Sequence, residues 1–237
     1  MKALRMALVT GMLAGAAGCS RPPPAPAPAA APAASAAAPV SAYDGPATLA
    51  YLEAVGAVRS KANTDNRNRI PALIRGQDLV MLGNEAERIA QYRQTLSALP
   101  VGKVDPDALQ FEKNFESILA AYESVCTDSA ELFREAARTD AQKPDSTPLM
   151  GQIRSGFVAM PVDTIGAASK LVEIVQRIAS TQTGYLPITA MLEKVGDDRD
   201  KLVGAKETHR AFALKVKGDF AQRYPAVDWS AKEVLPP

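Results

Sequence analysis

Apolar residues recur along this chain at spacings of three and four, the repeat of one face of an α-helix. The clearest stripe continues for about seven turns and consists of Phe111, Phe115, Ile118, Tyr122, Val125, Ser129, Leu132 and Ala136. Asp105 followed by Pro106 marks its start, because a capping residue before a first-turn proline is typical of a helix N-terminus. A helix this long with one apolar stripe has to lie against neighbours of comparable length.

Prolines and polar residues divide the pattern into segments. The predicted helices cover 46–61, 71–99, 106–138, 149–182 and 188–220. The polar run 63–68 predicts a loosened stretch or a turn, and Pro71 suits the first turn of the second helix. Pro161 and Pro187 each break or bend a helix, and the pattern leaves both outcomes open. Short loops between long amphipathic segments predict an all-α fold, an elongated antiparallel bundle of four to six helices.

The N-terminal segment has a different pattern. Lys2 and Arg5 precede an apolar run at 6–18, which is shorter than the roughly 20 residues that a spanning helix needs. The run ends in Ala16-Ala17-Gly18-Cys19. This layout resembles a bacterial lipoprotein signal and its lipobox, with alanine at the position where the family usually has leucine. The resemblance implies cleavage before Cys19, a diacylglyceryl thioether on its sulfur and acylation of its α-amine.

Residues 21–40 are almost wholly alanine and proline, which predicts a disordered, extended linker. In polyproline II geometry it would reach up to about 60 Å. The predicted organisation is therefore a signal peptide at 1–18, a lipidated cysteine and tether at 19–40, and a helical bundle domain at 41–237. Ser20 after the cysteine, rather than aspartate, implies through the same resemblance a lipid anchor in the outer membrane, facing the periplasm.

The charge balance argues against nucleic acid as a partner. The chain has 27 basic and 26 acidic residues, and loss of Lys2 and Arg5 with the signal would leave 25 against 26. Nucleic-acid binders usually carry a basic field, which is missing from this sequence. With Cys19 acylated, Cys126 would be the remaining thiol, so the fold has to be held by packing rather than by a disulfide within the chain.

His209, the one histidine, is the weak candidate for binding a cofactor, because it falls on an apolar stripe. A di-iron bundle needs Glu-x-x-His pairs, and Lys206 stands where the glutamate would be. Covalent haem needs a Cys-x-x-Cys-His run, which this sequence lacks. We therefore expect no cofactor and no metal, and interpret His209 as a hydrogen-bonded or edge-exposed residue of the bundle.

Other side chains that could take part in catalysis or metal binding have ordinary structural interpretations. Cys126 is expected to be a small buried hydrophobe. Several carboxylates lie one or two turns apart and are typical of a solvated, ion-paired face more than of a catalytic pair or cation site; they are Glu112, Glu116, Glu123, Glu131 and Glu135. The run Asp197, Asp198 and Asp200 resembles a fragment of a calcium loop, but the glycine and closing glutamate do not follow, so we expect a capped turn.

Motifs of hydrolases, phosphate-binding loops and zinc proteases do not occur in the sequence, which favours a protein that is not an enzyme. The first functional hypothesis is a lipid-anchored cell-envelope protein that binds another macromolecule as an accessory, inhibitor or immunity module. The alternative is a carrier or sensor of a small ligand, such as a lipid or cofactor, in a bundle cavity walled by Tyr122, Phe115 and His209.

Overall fold

The computed structural model describes residues 42–76, 78–142, 148–158, 173 and 186–229. Within these residues the chain forms five helices and no strand: α1 (Gly45–Gly76), α2 (Leu79–Ser97), α3 (Pro106–Gln142), α4 (Leu149–Val158) and α5 (Leu186–Arg223). They belong to one compact unit, Ser41–Pro237. This confirms the predicted all-α bundle. The signal peptide, Cys19 and the tether lie outside the described residues.

Helix α3 is the centre of the bundle, because it packs against each of the other four helices. All eight residues of its predicted stripe are buried. Helix α5 runs antiparallel to α3, since Asp105 before α3 pairs with Arg223 at the end of α5, and Asp128 further along α3 pairs with Lys194 early in α5. Helix α1 runs parallel to α3, with Thr48 beside Asp105 and Arg59 over the Phe111 ring.

The predicted break at the polar run 63–68 is wrong, because α1 continues through that run and through Pro71 to Gly76. Asn63 and Thr64 of this run are exposed, whereas Asp65 and Asn66 are held within the bundle. Asp65 accepts a hydrogen bond of 2.6 Å from the Tyr92 hydroxyl and forms an ion pair with Arg88, and Asn66 is buried. Tertiary contacts therefore override the local preference of these side chains for a turn. The actual boundary lies at Asp78, whose carboxylate caps α2 by accepting from the Met81 amide.

The C-terminal half corrects a second prediction. Asp197, Asp198 and Asp200 lie inside the continuous helix α5, not in a capped turn. Asp198 is buried against α3, and contact across the two helices holds it in the helix. Pro187 falls in the first turn of α5, where a missing backbone N–H costs no helical hydrogen bond. The predicted break or bend at Pro161 lies outside the described residues.

Candidate functional site

Helices α3 and α5, whose facing surfaces are called here the α3–α5 seam, carry most of the side chains that could take part in chemistry. The two helices are 37 and 38 residues long, so each extends for about 55 Å. Buried polar residues on these helices or at their ends are Asp105, Glu112, Asp128, Ser129, Asp198, Arg199 and His209. Because buried polar groups need partners, these residues are the candidates for a functional site in this chain.

His209 lies between two phenylalanine rings of α3. Its ring centroid is 4.5 Å from that of Phe111 and 5.9 Å from that of Phe115, and the residue is 6% exposed. Burial lowers the pKa of His209 to about 4, and the charge of Arg59 on α1 adds to the decrease, while the backbone of Phe111 opposes it. His209 is therefore a neutral, aromatic core residue at pH 7.

His209 is buried rather than edge-exposed. The Phe111 backbone interacts with its ring and favours the protonated form, although neither ring nitrogen reaches it with full hydrogen-bond geometry, so the expected hydrogen bond stays a prediction. Metal-bound histidine usually has its second nitrogen held by a carboxylate, a carbonyl or water. The side chains that contact the His209 ring are two phenylalanines, and the nearby charge is the cation Arg59 rather than a carboxylate, which favours a packing role.

The other two residues of the predicted cavity wall are also in the core. Phe115 is 1% exposed and contacts His209, so the structure brings these two together. Tyr122 lies further along α3, with the ammonium of Lys206 5.0 Å from its ring centroid. This cation–π contact joins α3 to α5 at a second level of the seam.

Cys126 is fully buried, as expected for a small hydrophobe. Burial raises the pKa of its thiol to about 12, with Arg88 opposing and Glu123 adding to the increase. The nucleophilic form of cysteine is the thiolate. A thiol with so high a pKa is protonated at neutral pH, so the geometry gives Cys126 no reactive role.

The predicted carboxylate face is in part an ion-paired surface. Arg93 on α2 donates to Glu116 at 3.2 Å and to Glu123 at 2.8 Å. Glu135 accepts from Arg138 on the same helix, and Glu131 is exposed. These four glutamates therefore lie where the solvated interpretation placed them.

Glu112 departs from that interpretation because it is buried. Burial raises its pKa, the charge of Glu116 adds to the increase and Lys113 opposes it. Tyr51 of α1 is a neighbour, and its pKa is raised to about 12, first by burial and then by the charge of Glu112. The pair is a polar contact between α1 and α3, distant in the sequence and therefore invisible to motif analysis.

A carboxylate pair that no sequence motif indicates lies across the seam, Asp128 on α3 and Asp198 on α5. Lys194 donates to Asp128 at 2.8 Å, and Lys201 donates to Asp198 at 3.0 Å. Burial raises the pKa of Asp128, but hydrogen bonds from Asp198 and Lys194 outweigh it and lower the value overall. Burial and the contact with Asp128 raise the pKa of Asp198. The opposite shifts mean that Asp198 takes up a proton before Asp128 as the pH falls, and the pair joins α3 to α5.

A second missed cluster fastens one end of the bundle. Asp105 is 1% exposed and its carboxylate accepts hydrogen bonds of 2.6 Å from both Arg223 and the Tyr224 hydroxyl. Its backbone amide donates to the Thr48 hydroxyl. We call this end, comprising residues 43–48, 98–105 and 223–229, the base of the bundle.

The base also packs through aromatic contacts. The Trp229 ring stacks on Phe220 with 5.2 Å between centroids, and its indole N–H donates to the Tyr224 carbonyl. A Cβ on Gly45 would lie 2.9 Å from Val227 and 3.0 Å from Tyr224, so glycine permits this close approach. The starts of α1 and α3 and the end of α5 are therefore packed together.

Across the described ranges, no three metal-ligating side chains group in a way that could hold an ion, and none of the helices there has the length and apolarity to span a membrane. Comparison of the chain with protein-family models, curated proteins and solved structures found no match. The function therefore has to be inferred from the chain itself.

Proposed function

We propose that this protein is a lipid-anchored component of the bacterial cell envelope whose helical domain binds another macromolecule. The lipid would be attached to Cys19, and the tether at 19–40 would connect it to the domain. The partner is expected to be a protein of the envelope rather than nucleic acid, since acidic and basic residues are nearly balanced.

The observation that most supports this proposal is the fastening of the base. The chain enters the domain there, because α1 begins at Gly45. The Asp44 amide donates to the Lys103 carbonyl at 2.9 Å, and Asp105 connects the α2–α3 loop to the end of α5. A pull on the tether would thus be distributed over α1, α3 and α5, as suits a domain held by its N-terminal side.

The anchor is tested by Cys19→Ala with Cys126→Ala as the matched control. Both variants remove one thiol, but only the first removes the proposed attachment point. We expect Cys19→Ala to be lost from the membrane fraction while its circular dichroism stays as helical as that of the wild type. Cys126→Ala should remain membrane-bound. Membrane retention of Cys19→Ala equal to that of the wild type would contradict the anchor.

The binding role is tested by affinity capture of the acylated protein from crosslinked membranes, with Cys19→Ala as the comparison. One stoichiometric envelope protein, captured by the wild type and reduced with the variant, is the expected result. Recovery of no stoichiometric partner in repeated experiments would contradict the binding role while leaving the anchor intact.

The alternative of a small-ligand carrier stays a prediction. Its proposed wall residues, Phe115, Tyr122 and His209, are buried among core side chains, which is an argument for packing rather than for a lining. Native mass spectrometry of the protein isolated without denaturant separates the two hypotheses. A retained lipid or cofactor would support the carrier.

A further inference from the structure

The base of the bundle exposes apolar side chains. Three large hydrophobic residues are exposed in the part of the chain that the structure describes, and two of them, Tyr43 and Val101, lie at the base, where they are 43% and 58% exposed. The third, Leu214, is on the side of α5. Two of these three residues therefore lie at the base.

The segments that carry these side chains are held next to one another. The Asp44 amide, directly after Tyr43, donates to the Lys103 carbonyl in the loop that contains Val101. The turn after α5 joins them through the Tyr224 hydroxyl, which donates to Asp105, and through the contact between Gly45 and Val227. The result is one apolar tip rather than scattered residues.

Further small or apolar residues surround this tip. Exposed positions beside Tyr43 and Val101 are Ala98, Pro100, Gly102, Pro225 and Ala226. Trp229 is partly exposed in the same turn. The exposed charges here are Lys103, Arg223 and Asp228, and Arg223 is paired with Asp105 and Asp107. Tyrosine and tryptophan with flanking cations are typical of groups that lie at the level of lipid headgroups.

We propose that the tip of the base docks on the surface of the phospholipid bilayer that holds the lipid anchor. This inference rests on the proposed acylation of Cys19. The bilayer is the partner that chain connectivity favours, because the polypeptide that precedes Tyr43 at the base leads back through the tether to Cys19. The base is the part of the domain at which the covalent connection to the proposed lipid enters.

Tethering allows a weak contact to be populated. A linker of this length keeps the domain at an effective concentration of millimolar order near the bilayer, so few inserted side chains suffice. The acyl chains supply attachment, and the tip supplies orientation. Helices α3 and α5 would then extend from the bilayer surface and present their far ends to a partner.

Trp229 is the single tryptophan of the chain and lies in the base, so its fluorescence reports on docking without a label. The acylated protein is reconstituted into vesicles of phosphatidylethanolamine and phosphatidylglycerol, with or without lipid spin-labelled on the headgroup. We expect the spin-labelled lipid to quench Trp229. Val101→Asp places a charge at the tip. Its Trp229 fluorescence should be quenched roughly threefold less than in the wild type, because a charged side chain disfavours insertion.

Leu214→Asp is the matched control, since it makes the same kind of change at an equally exposed site outside the base. It should be quenched like the wild type. Docking would be overturned if Trp229 were quenched equally in Val101→Asp and the wild type. It would also be overturned if the wild-type protein floated with the vesicles but was not quenched. Both results would leave the anchor intact. Failure of the wild-type protein to float with vesicles would instead overturn both the anchor and this inference.

Discussion

His209→Leu gives the most quantitative test of the account of the seam. The wild-type imidazole lies between Phe111 and Phe115 and is neutral at pH 7, because burial lowers its pKa to about 4. In the unfolded chain the same group has an ordinary pKa of 6.5. As the pH falls below 6.5, the unfolded chain binds a proton at His209 and the folded protein does not. The free energy of unfolding therefore decreases until the pH reaches the pKa of His209 in the folded protein.

The size of the effect follows from the two pKa values. Each pH unit between them removes about 1.4 kcal/mol from the free energy of unfolding. Between pH 6.5 and pH 4.5 the wild type should therefore lose about 2 kcal/mol more than a variant without a titratable group at position 209, because the unfolded histidine is only half protonated at pH 6.5. At pH 7, leucine replaces a buried ring of similar size, so the stability should change by less than about 1.5 kcal/mol.

The assay is urea unfolding followed by circular dichroism at pH values from 7 to 4.5 for the wild type and His209→Leu. The carboxyl groups titrate in both proteins, so the difference between them isolates the histidine. Thr208→Leu, an exposed neighbour, is the control and should retain the wild-type slope. If the stability curves of His209→Leu and the wild type remain parallel across this range, His209 is not the buried, neutral residue described above.

Three further predictions concern other buried groups. Asp105→Asn should cost about 2 kcal/mol, because the buried carboxylate accepts hydrogen bonds from the half-exposed Arg223 and from Tyr224, whereas Asp107→Asn, at a more exposed pair with Arg223, should cost about 1 kcal/mol or less; urea unfolding of both variants measures the difference, and equal losses would contradict the role of Asp105. Cys126 should resist maleimide in the folded protein and react in urea, because its thiol is buried with a pKa of about 12; fast labelling of the native protein would contradict this. Asp198 has a raised pKa, so its protonated form stabilises the fold at low pH and that contribution is lost as the pH rises above 3.8. The stability of Asp198→Asn relative to the wild type, measured by urea unfolding, should therefore increase with pH, and a difference that does not change with pH would contradict the raised pKa.

Helix periodicity was sufficient to predict the centre of the fold. The stripe from Phe111 to Ala136 is buried throughout, and α3 begins at Pro106 as the Asp105-Pro106 pattern indicates. The signal was strong because one helix packs against four others, so its apolar face is long and continuous. Local chemistry and tertiary packing agree along this helix.

The prediction failed where the two disagree. Asn66 and Asp65 favour a turn when considered alone, but the structure buries the first and pairs the second with α2. Likewise Asp198 would suit a capped turn, yet it lies in α5 beside Asp128. The partner of Asp198 is distant in the sequence, and no local pattern encodes such a pairing.

The candidate site shows the same limit. Asp105 was recognised as a helix cap, and its side chain does accept from the Asp107 amide at 2.9 Å. Its bonds to Arg223 and Tyr224, which fasten the base, join residues from opposite ends of the domain. Such contacts depend on the packed arrangement of α3 and α5 and become visible only with the fold.

Intact mass spectrometry of the protein extracted from bacterial membranes decides whether the chain is lipid-anchored. We expect a chain that begins at Cys19 and carries the added mass of a diacylglyceryl group and an amide-linked acyl chain. A chain that retains residues 1–18, or that begins elsewhere and carries no lipid, would contradict the lipid anchor and the functional proposal built on it.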